Sequence, residues 1–258
     1  MKPLLLSLLV ACGMAAQDAQ PVRIILVGDS TMAVKSGYGP GFCALWNPAV
    51  TCLNMAKGGR STSSYRAEGS WAQVMEKLKD GSGFAGTWVL IQFGHNDQPG
   101  KPGRSTDLAT EFPANLRRYV EEVKAAGGHP VLVTPLTRRS FRDGKLRDTL
   151  GPWGDAARKV AAETGTPLLD LHAESMAAVD AMGPVEANTL AMAPAPEPVM
   201  EGARHGDSPA VPKPAVANPS EPVFDYTHLG QKGANFFGRM VARELVAAVP
   251  ELKDYLRP

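Results

Sequence analysis

Hydrophobic positions fall into short apolar runs, separated by stretches in which apolar residues recur every three or four positions. Val22 to Val27, Thr51 to Met55, Thr87 to Phe93, Pro130 to Val133 and Pro167 to Leu171 read as strands. Helical patterns lie at 71–79, 113–126, 153–164 and 231–249. In the second of these, Pro113 suits a first turn, Leu116, Tyr119, Val120 and Val123 keep one apolar face, and Gly127-Gly128 stops the pattern. Parallel strands need helical crossovers. The alternation therefore predicts a three-layer α/β/α domain around a five-stranded parallel sheet.

Two segments break this rhythm. Residues 1–20 begin with Met1-Lys2, continue in an apolar run to Ala11, and reach small residues at Ala15-Ala16. That is the pattern of an export signal, too short to span a membrane. It predicts a secreted or periplasmic protein. Leu9-Val10-Ala11-Cys12 also looks like a bacterial lipobox, which would make the product a lipoprotein anchored through Cys12 and is the one route to a membrane partner. The second break is 183–222, with nine prolines, many alanines and no regular period. It reads as a long surface loop inserted into a single domain spanning 21–258.

Composition narrows the field further. The 258 residues are 44% hydrophobic and 21% charged, with 27 basic against 26 acidic side chains. Such a chain is too apolar to be wholly disordered and too neutral for a general nucleic-acid binder. Beyond the signal it holds two cysteines, Cys43 and Cys52. In an exported protein a disulfide between them is one reading, and two buried thiols the other.

Polar blocks sit just beyond the first three strands: Gly28-Asp29-Ser30-Thr31-Met32, Ala56-Lys57-Gly58-Gly59-Arg60-Ser61, and Phe93-Gly94-His95-Asn96-Asp97. The carboxyl ends of parallel strands share one edge, where ligands bind. A fourth block, Asp225-Tyr226-Thr227-His228, precedes the last helix. Serine is a poor nucleophile until a base takes its proton, and a carboxylate orients and stabilises that base. Ser30, His228 and Asp225 can fill those three roles.

Together the four blocks resemble the SGNH hydrolases, also called the GDSL esterase and lipase superfamily, and within it the rhamnogalacturonan acetylesterases. The resemblance implies a flavodoxin-like SGNH hydrolase fold with Ser30 as nucleophile, His228 as base and then acid, and Asp225 as its partner. It also implies an oxyanion hole made by the N–H groups of Ser30 and Gly59 and the Asn96 amide. Donors aimed at a developing negative oxygen suit acyl transfer. No cofactor is implied, and no histidine has metal-ligand spacing. The substrate implied is an acetylated polysaccharide or oligosaccharide, pectin above all. The alternatives are an esterase for another ester, such as acetylated xylan or a lipid, and a carbohydrate-binding protein that keeps the fold without turnover.

Five basic residues in ten, Arg138 to Arg147, follow the fourth strand. Arg138, Arg139 and Arg142, with Arg60, are candidates to meet the carboxylates of an acidic polysaccharide, where Arg can bind bidentately. A solvated charged loop is the other reading. Gly206-Asp207-Ser208 repeats the nucleophile tripeptide, but no strand precedes it. No Gly-x-Ser-x-Gly elbow occurs, which argues against a standard α/β-hydrolase.

Overall fold

The computed structural model describes residues 20–212 and 221–257; the expected export signal and lipobox Cys12 lie outside the described residues, apart from Gln20. Five parallel strands form one sheet: β1 (Val22–Gly28), β2 (Val50–Asn54), β3 (Thr87–Gln92), β4 (His129–Val133) and, after the short β5 (Phe141–Arg142) and β6 (Lys145–Leu146), β7 (Leu168–Leu169). Their spatial order is β2-β1-β3-β4-β7. β1 and β3 are buried throughout, as expected for strands covered on both faces.

Side chains alternate between the two faces. Ile24, Leu26, Leu90, Val131 and Val133 pack on one side with α1 (Gly39–Cys43), α6 (Leu171–Asn188) and α8 (Gln231–Ala248). Ile25, Val27, Val89, Ile91 and Leu132 pack on the other with α3 (Ser70–Lys79), which follows the short α2 (Ser64–Ala67), and with α4 (Glu111–Ala125) and α5 (Gly151–Thr164). The result is the expected three-layer sandwich. From β1 the chain steps to β2 on one side and then to β3 on the other, so the direction of winding reverses at β1 and β3. A crevice opens at that switch point, beyond the carboxyl ends of those strands.

Within the segment 183–222, residues 183–212 are more ordered than their prolines suggest. Gly183, at φ 70°, kinks α6, and helix resumes through Pro184 to Asn188. A further helix, α7 (Glu197–Arg204), carries Pro198 in its first turn, where the missing N–H costs nothing, and buries Val199 and Ala203. The expected surface loop therefore contributes Ala187, Leu190, Val199 and Ala203 to the interior. The basic stretch after β4 turns back as the β5–β6 hairpin. Asp143 and Gly144, both at positive φ, make the two-residue turn that Asp-Gly favours.

Cys43 at the end of α1 and Cys52 in β2 form a disulfide, with Cα atoms 5.6 Å apart. It ties α1 to the edge strand. On its other side α1 meets α8 almost backbone to backbone: a Cβ on Gly238 would lie 2.5 Å from the Phe42 nitrogen, and one on Gly41 2.2 Å from the Ala234 oxygen. No helix among the described residues is long and apolar enough to cross a membrane.

Candidate active site

β1 ends at Gly28, where a side chain would collide with the Gln92 carbonyl at 2.6 Å. The next residue, Asp29, turns inward and is fully buried, its Oδ1 accepting from the Thr31 N–H at 2.9 Å and hydroxyl at 2.8 Å. Gln92 extends this network by donating to Thr31 Oγ1 and accepting from the Tyr38 hydroxyl. With its neighbours pinned, Ser30 is left on the outer side of the turn. Burial pushes the Asp29 carboxyl up, but His95 and the two bonds from Thr31 outweigh it and hold the group below its ordinary value. His95 is itself buried, which pulls its imidazole down despite the opposing charge of Asp29.

His228 Nε2 stands 2.8 Å from Ser30 Oγ, and His228 Nδ1 stands 2.6 Å from Asp225 Oδ2. The other Asp225 oxygen accepts from the N–H groups of Thr227 at 2.6 Å and His228 at 2.7 Å. Those two backbone bonds fold Asp-Tyr-Thr-His into a turn that brings carboxylate and imidazole together. Burial raises the Asp225 carboxyl, but hydrogen bonds from His228 and Thr227 and the charge of the imidazole bring it down to about 2. With Nδ1–H donated to this carboxylate, Nε2 carries the lone pair that faces the serine hydroxyl. The arrangement can draw the Ser30 proton onto His228.

The two loops are also joined directly. Ser36 Oγ donates to the Ser30 carbonyl at 2.8 Å, and the Ser36 carbonyl accepts from Leu229 N–H at 2.8 Å. Since α1 follows the serine turn and α8 follows the histidine turn, the glycine contact between these helices holds both in register.

Around Ser30 lie candidate donors for a negative oxygen. Among the described residues, the N–H groups of Ser30 and Gly59 donate to no protein acceptor. Gly59 adopts φ 77°, a conformation glycine takes without strain. The Asn96 amide is held at both ends, Nδ2 donating to the Arg60 carbonyl at 3.0 Å and Oδ1 lying 3.5 Å from Arg104 Nη1. That fixes its NH₂ toward the second block. Asp97 braces the same block from beneath, its Oδ1 accepting from Thr62 N–H and from the hydroxyls of Thr62 and Thr106.

The arginines separate. Arg139 is a correction to the sequence-based expectation of a substrate contact: it is fully buried, donating to the carbonyls of Asp225 (2.9 Å), His228 (2.9 Å) and Thr227 (3.2 Å). It holds the histidine turn and presents nothing to a ligand. Arg60 is paired with Glu68 at 2.7 Å. Arg142 is exposed on the β5–β6 hairpin. Arg138 is half-buried and donates to Thr149 Oγ1 and Gln98 Oε1.

Lys101 and Arg104, in the loop between Asp97 and α4, went unmarked by pattern. Neither belongs to a periodic element. The second Gly-Asp-Ser is structural: Asp207 Oδ1 accepts from Asp143 N–H, and Ser208 Oγ from Phe141 N–H, stapling the hairpin. No group of His, Cys, Asp and Glu able to hold a metal occurs among the described residues.

Known proteins resemble this chain in both sequence and fold. Rhamnogalacturonan acetylesterase RhgT of Bacillus subtilis is 33% identical over 92% of this chain and 95% of its own length. The probable rhamnogalacturonan acetylesterase YesY of the same organism is 27% identical over 86% and 91%. Among solved structures, protein YxiM from Bacillus subtilis superposes with a TM-score of 0.64 at 22% identity over 91% of this chain; the chain spans 58% of that structure's length. An acetylxylan esterase from Geobacillus stearothermophilus shares the fold at a TM-score of 0.55 and 16% identity, over 91% of this chain and 96% of its own. Residues 26–198 match the model of the GDSL-like lipase/acylhydrolase family, and the chain belongs to that family.

Proposed function

We propose that this protein is a serine esterase that removes acetyl groups from rhamnogalacturonan or a similar acetylated pectin through an acyl-enzyme. The observation that carries the proposal is the unbroken chain Asp225–His228–Ser30 at 2.6 and 2.8 Å. Ser30 Oγ attacks the acetyl carbonyl as its proton passes to His228 Nε2. The tetrahedral oxyanion takes hydrogen bonds from Ser30 N–H, Gly59 N–H and Asn96 Nδ2, donors already fixed before the charge appears. Collapse expels the sugar oxygen, which takes the proton from His228 and leaves acetyl-Ser30. Water then gives its proton to His228 and attacks the ester, releasing acetate and restoring the serine.

Polysaccharide acetyl groups as substrate are supported by relatives with that printed activity, at 33% identity over nearly the whole chain. Action outside the cytoplasm, in the medium or the periplasm, is supported by the Cys43–Cys52 disulfide and the charged-then-apolar start of the chain. The test is acetate release from a panel of acetylated rhamnogalacturonan, homogalacturonan and xylan. Preference for the galacturonate-containing polymers is expected; faster release from xylan would overturn the substrate reading.

A further inference from the structure

Beside the oxyanion donors stand three cations that make no ion pair among the described residues, although the more distant charges of Asp29 and Asp225 act on Arg138 and that of Asp29 on Lys101. Arg104 reaches back from its loop until Nη1 lies 3.4 Å from the Gly59 carbonyl and 3.5 Å from Asn96 Oδ1. Arg138 holds its guanidinium on neutral acceptors only, Thr149 Oγ1 at 2.9 Å and Gln98 Oε1 at 2.7 Å. Lys101 is half-buried, and among the described residues its ammonium makes no hydrogen bond; burial and the charges of Arg138 and Arg104 pull it below its ordinary value, with the charge of Asp29 opposing. Among the described residues no carboxylate oxygen comes within 4.0 Å of any of the three. Half-buried arginines elsewhere do find one, as Arg66 does in Glu122 at 2.6 Å and Arg158 in Asp170 at 2.8 Å.

The cluster is rigidly built. Gln98 accepts from Arg138 while donating to the Thr149 carbonyl, so it fastens the loop that carries Lys101 and Arg104 to the segment that carries Arg138. Ser105 Oγ accepts from Lys101 N–H and donates to the Gln98 carbonyl, and Arg104 N–H donates to the Lys101 carbonyl. Like charges gathered at one edge of a site repel one another, and an anion between them turns that repulsion into binding.

We propose that Lys101, Arg104 and Arg138 form an anion subsite that receives a uronate carboxylate of the substrate sugar beside the scissile ester. The proposal rests on the esterase reading of Ser30, since that residue defines where the ester lies. It assigns the recognition of acidic sugar to a loop after the third block, and to Arg138 alone of the basic run.

Calorimetric titration of the Ser30→Ala variant with trigalacturonic acid and with its trimethyl ester tests it. The acid should bind at least about tenfold more tightly at low salt, a difference of about 1.4 kcal/mol. High salt should shrink that ratio. Adding Lys101→Gln and Arg104→Gln should bring it close to one, with circular dichroism melting used to verify that each variant is folded. Equal affinities for acid and ester, or a preference indifferent to those substitutions, would overturn the subsite. Acetate release by Ser30→Ala is a separate readout: hydrolysis surviving there overturns the esterase reading of Ser30 while leaving the measured anion preference intact.

Discussion

Arg139 donates a 2.9 Å hydrogen bond to the carbonyl of His228, from a side chain with no exposed surface. A buried cation is costly unless its donors are used, and here three backbone carbonyls of one turn accept from Nη1 and Nη2, while Nε makes no hydrogen bond among the described residues. Burial pulls the guanidinium below its ordinary value, with the charge of Asp225 opposing. The interaction is structural in origin and acts on the site by fixing where the histidine stands.

Replacing Arg139 with methionine should therefore destabilise the fold by at least about 2 kcal/mol, because unsatisfied buried carbonyls cost about 1–3 kcal/mol each. Turnover should fall as well, with little change in KM, since a displaced imidazole no longer meets Ser30. Urea denaturation and steady-state kinetics check this. Arg142→Gln, on the exposed hairpin, should leave stability unchanged within about 0.5 kcal/mol.

Gly238→Ala tests the helix contact that keeps the serine and histidine turns in register. The added methyl meets Phe42 N at 2.5 Å and the Gly41 carbonyl carbon at 2.6 Å, both backbone atoms that cannot swing away. Overpacking of this kind costs about 1–3 kcal/mol. A lowered Tm accompanied by lowered kcat is expected; an unchanged kcat would mean that the α1–α8 contact does not set the geometry of the site.

Asn96→Ala should reduce kcat by roughly 10²–10³, the usual consequence of losing one oxyanion donor. The fold should survive, because Asp97 and Thr62 still join the second and third blocks. Acetate release under saturating substrate measures the effect.

Glu244 makes a pH prediction. Burial, reinforced by Glu174 and Asp170 and opposed by Arg243, pushes its carboxyl from 4.5 to about 8. The native state thus holds a proton that the unfolded chain releases near 4.5. The contribution of the protonated form is complete below pH 4.5, erodes as the pH rises through the window, and is lost above about 8. Glu244→Gln should flatten the decline in Tm across that range. Asp225, by contrast, stays ionised down to about pH 2 and keeps its charge beside His228 throughout that window.

The central strands were legible because both faces of β1 and β3 are buried, which leaves continuous apolar runs. The candidate active-site residues were legible for a different reason: each lies in a short polar block just past a strand or just before the last helix, and sheet topology gathers such ends at one edge. What stayed hidden depends on partners distant in sequence. Arg139 in a basic run reads as a substrate contact or a solvated charge, and only the fold brings the carbonyls of Asp225 and His228 to it. Arg104 sits in an aperiodic loop, so its approach to Gly59 leaves no mark on the pattern. The helix at Glu197–Arg204 was obscured by prolines that its first turn tolerates. Asp143-Gly144 did carry a hairpin signal, masked by the charge around it.

The central claim is that Ser30 forms the acyl-enzyme with His228 as its base, and covalent labelling tests it most directly. A fluorophosphonate should add to one residue, identified by peptide mass spectrometry as Ser30, with acetate release lost in step. His228→Ala should label far more slowly, and Ser30→Ala not at all. Labelling at another residue, or full acetate release by Ser30→Ala, would contradict the account.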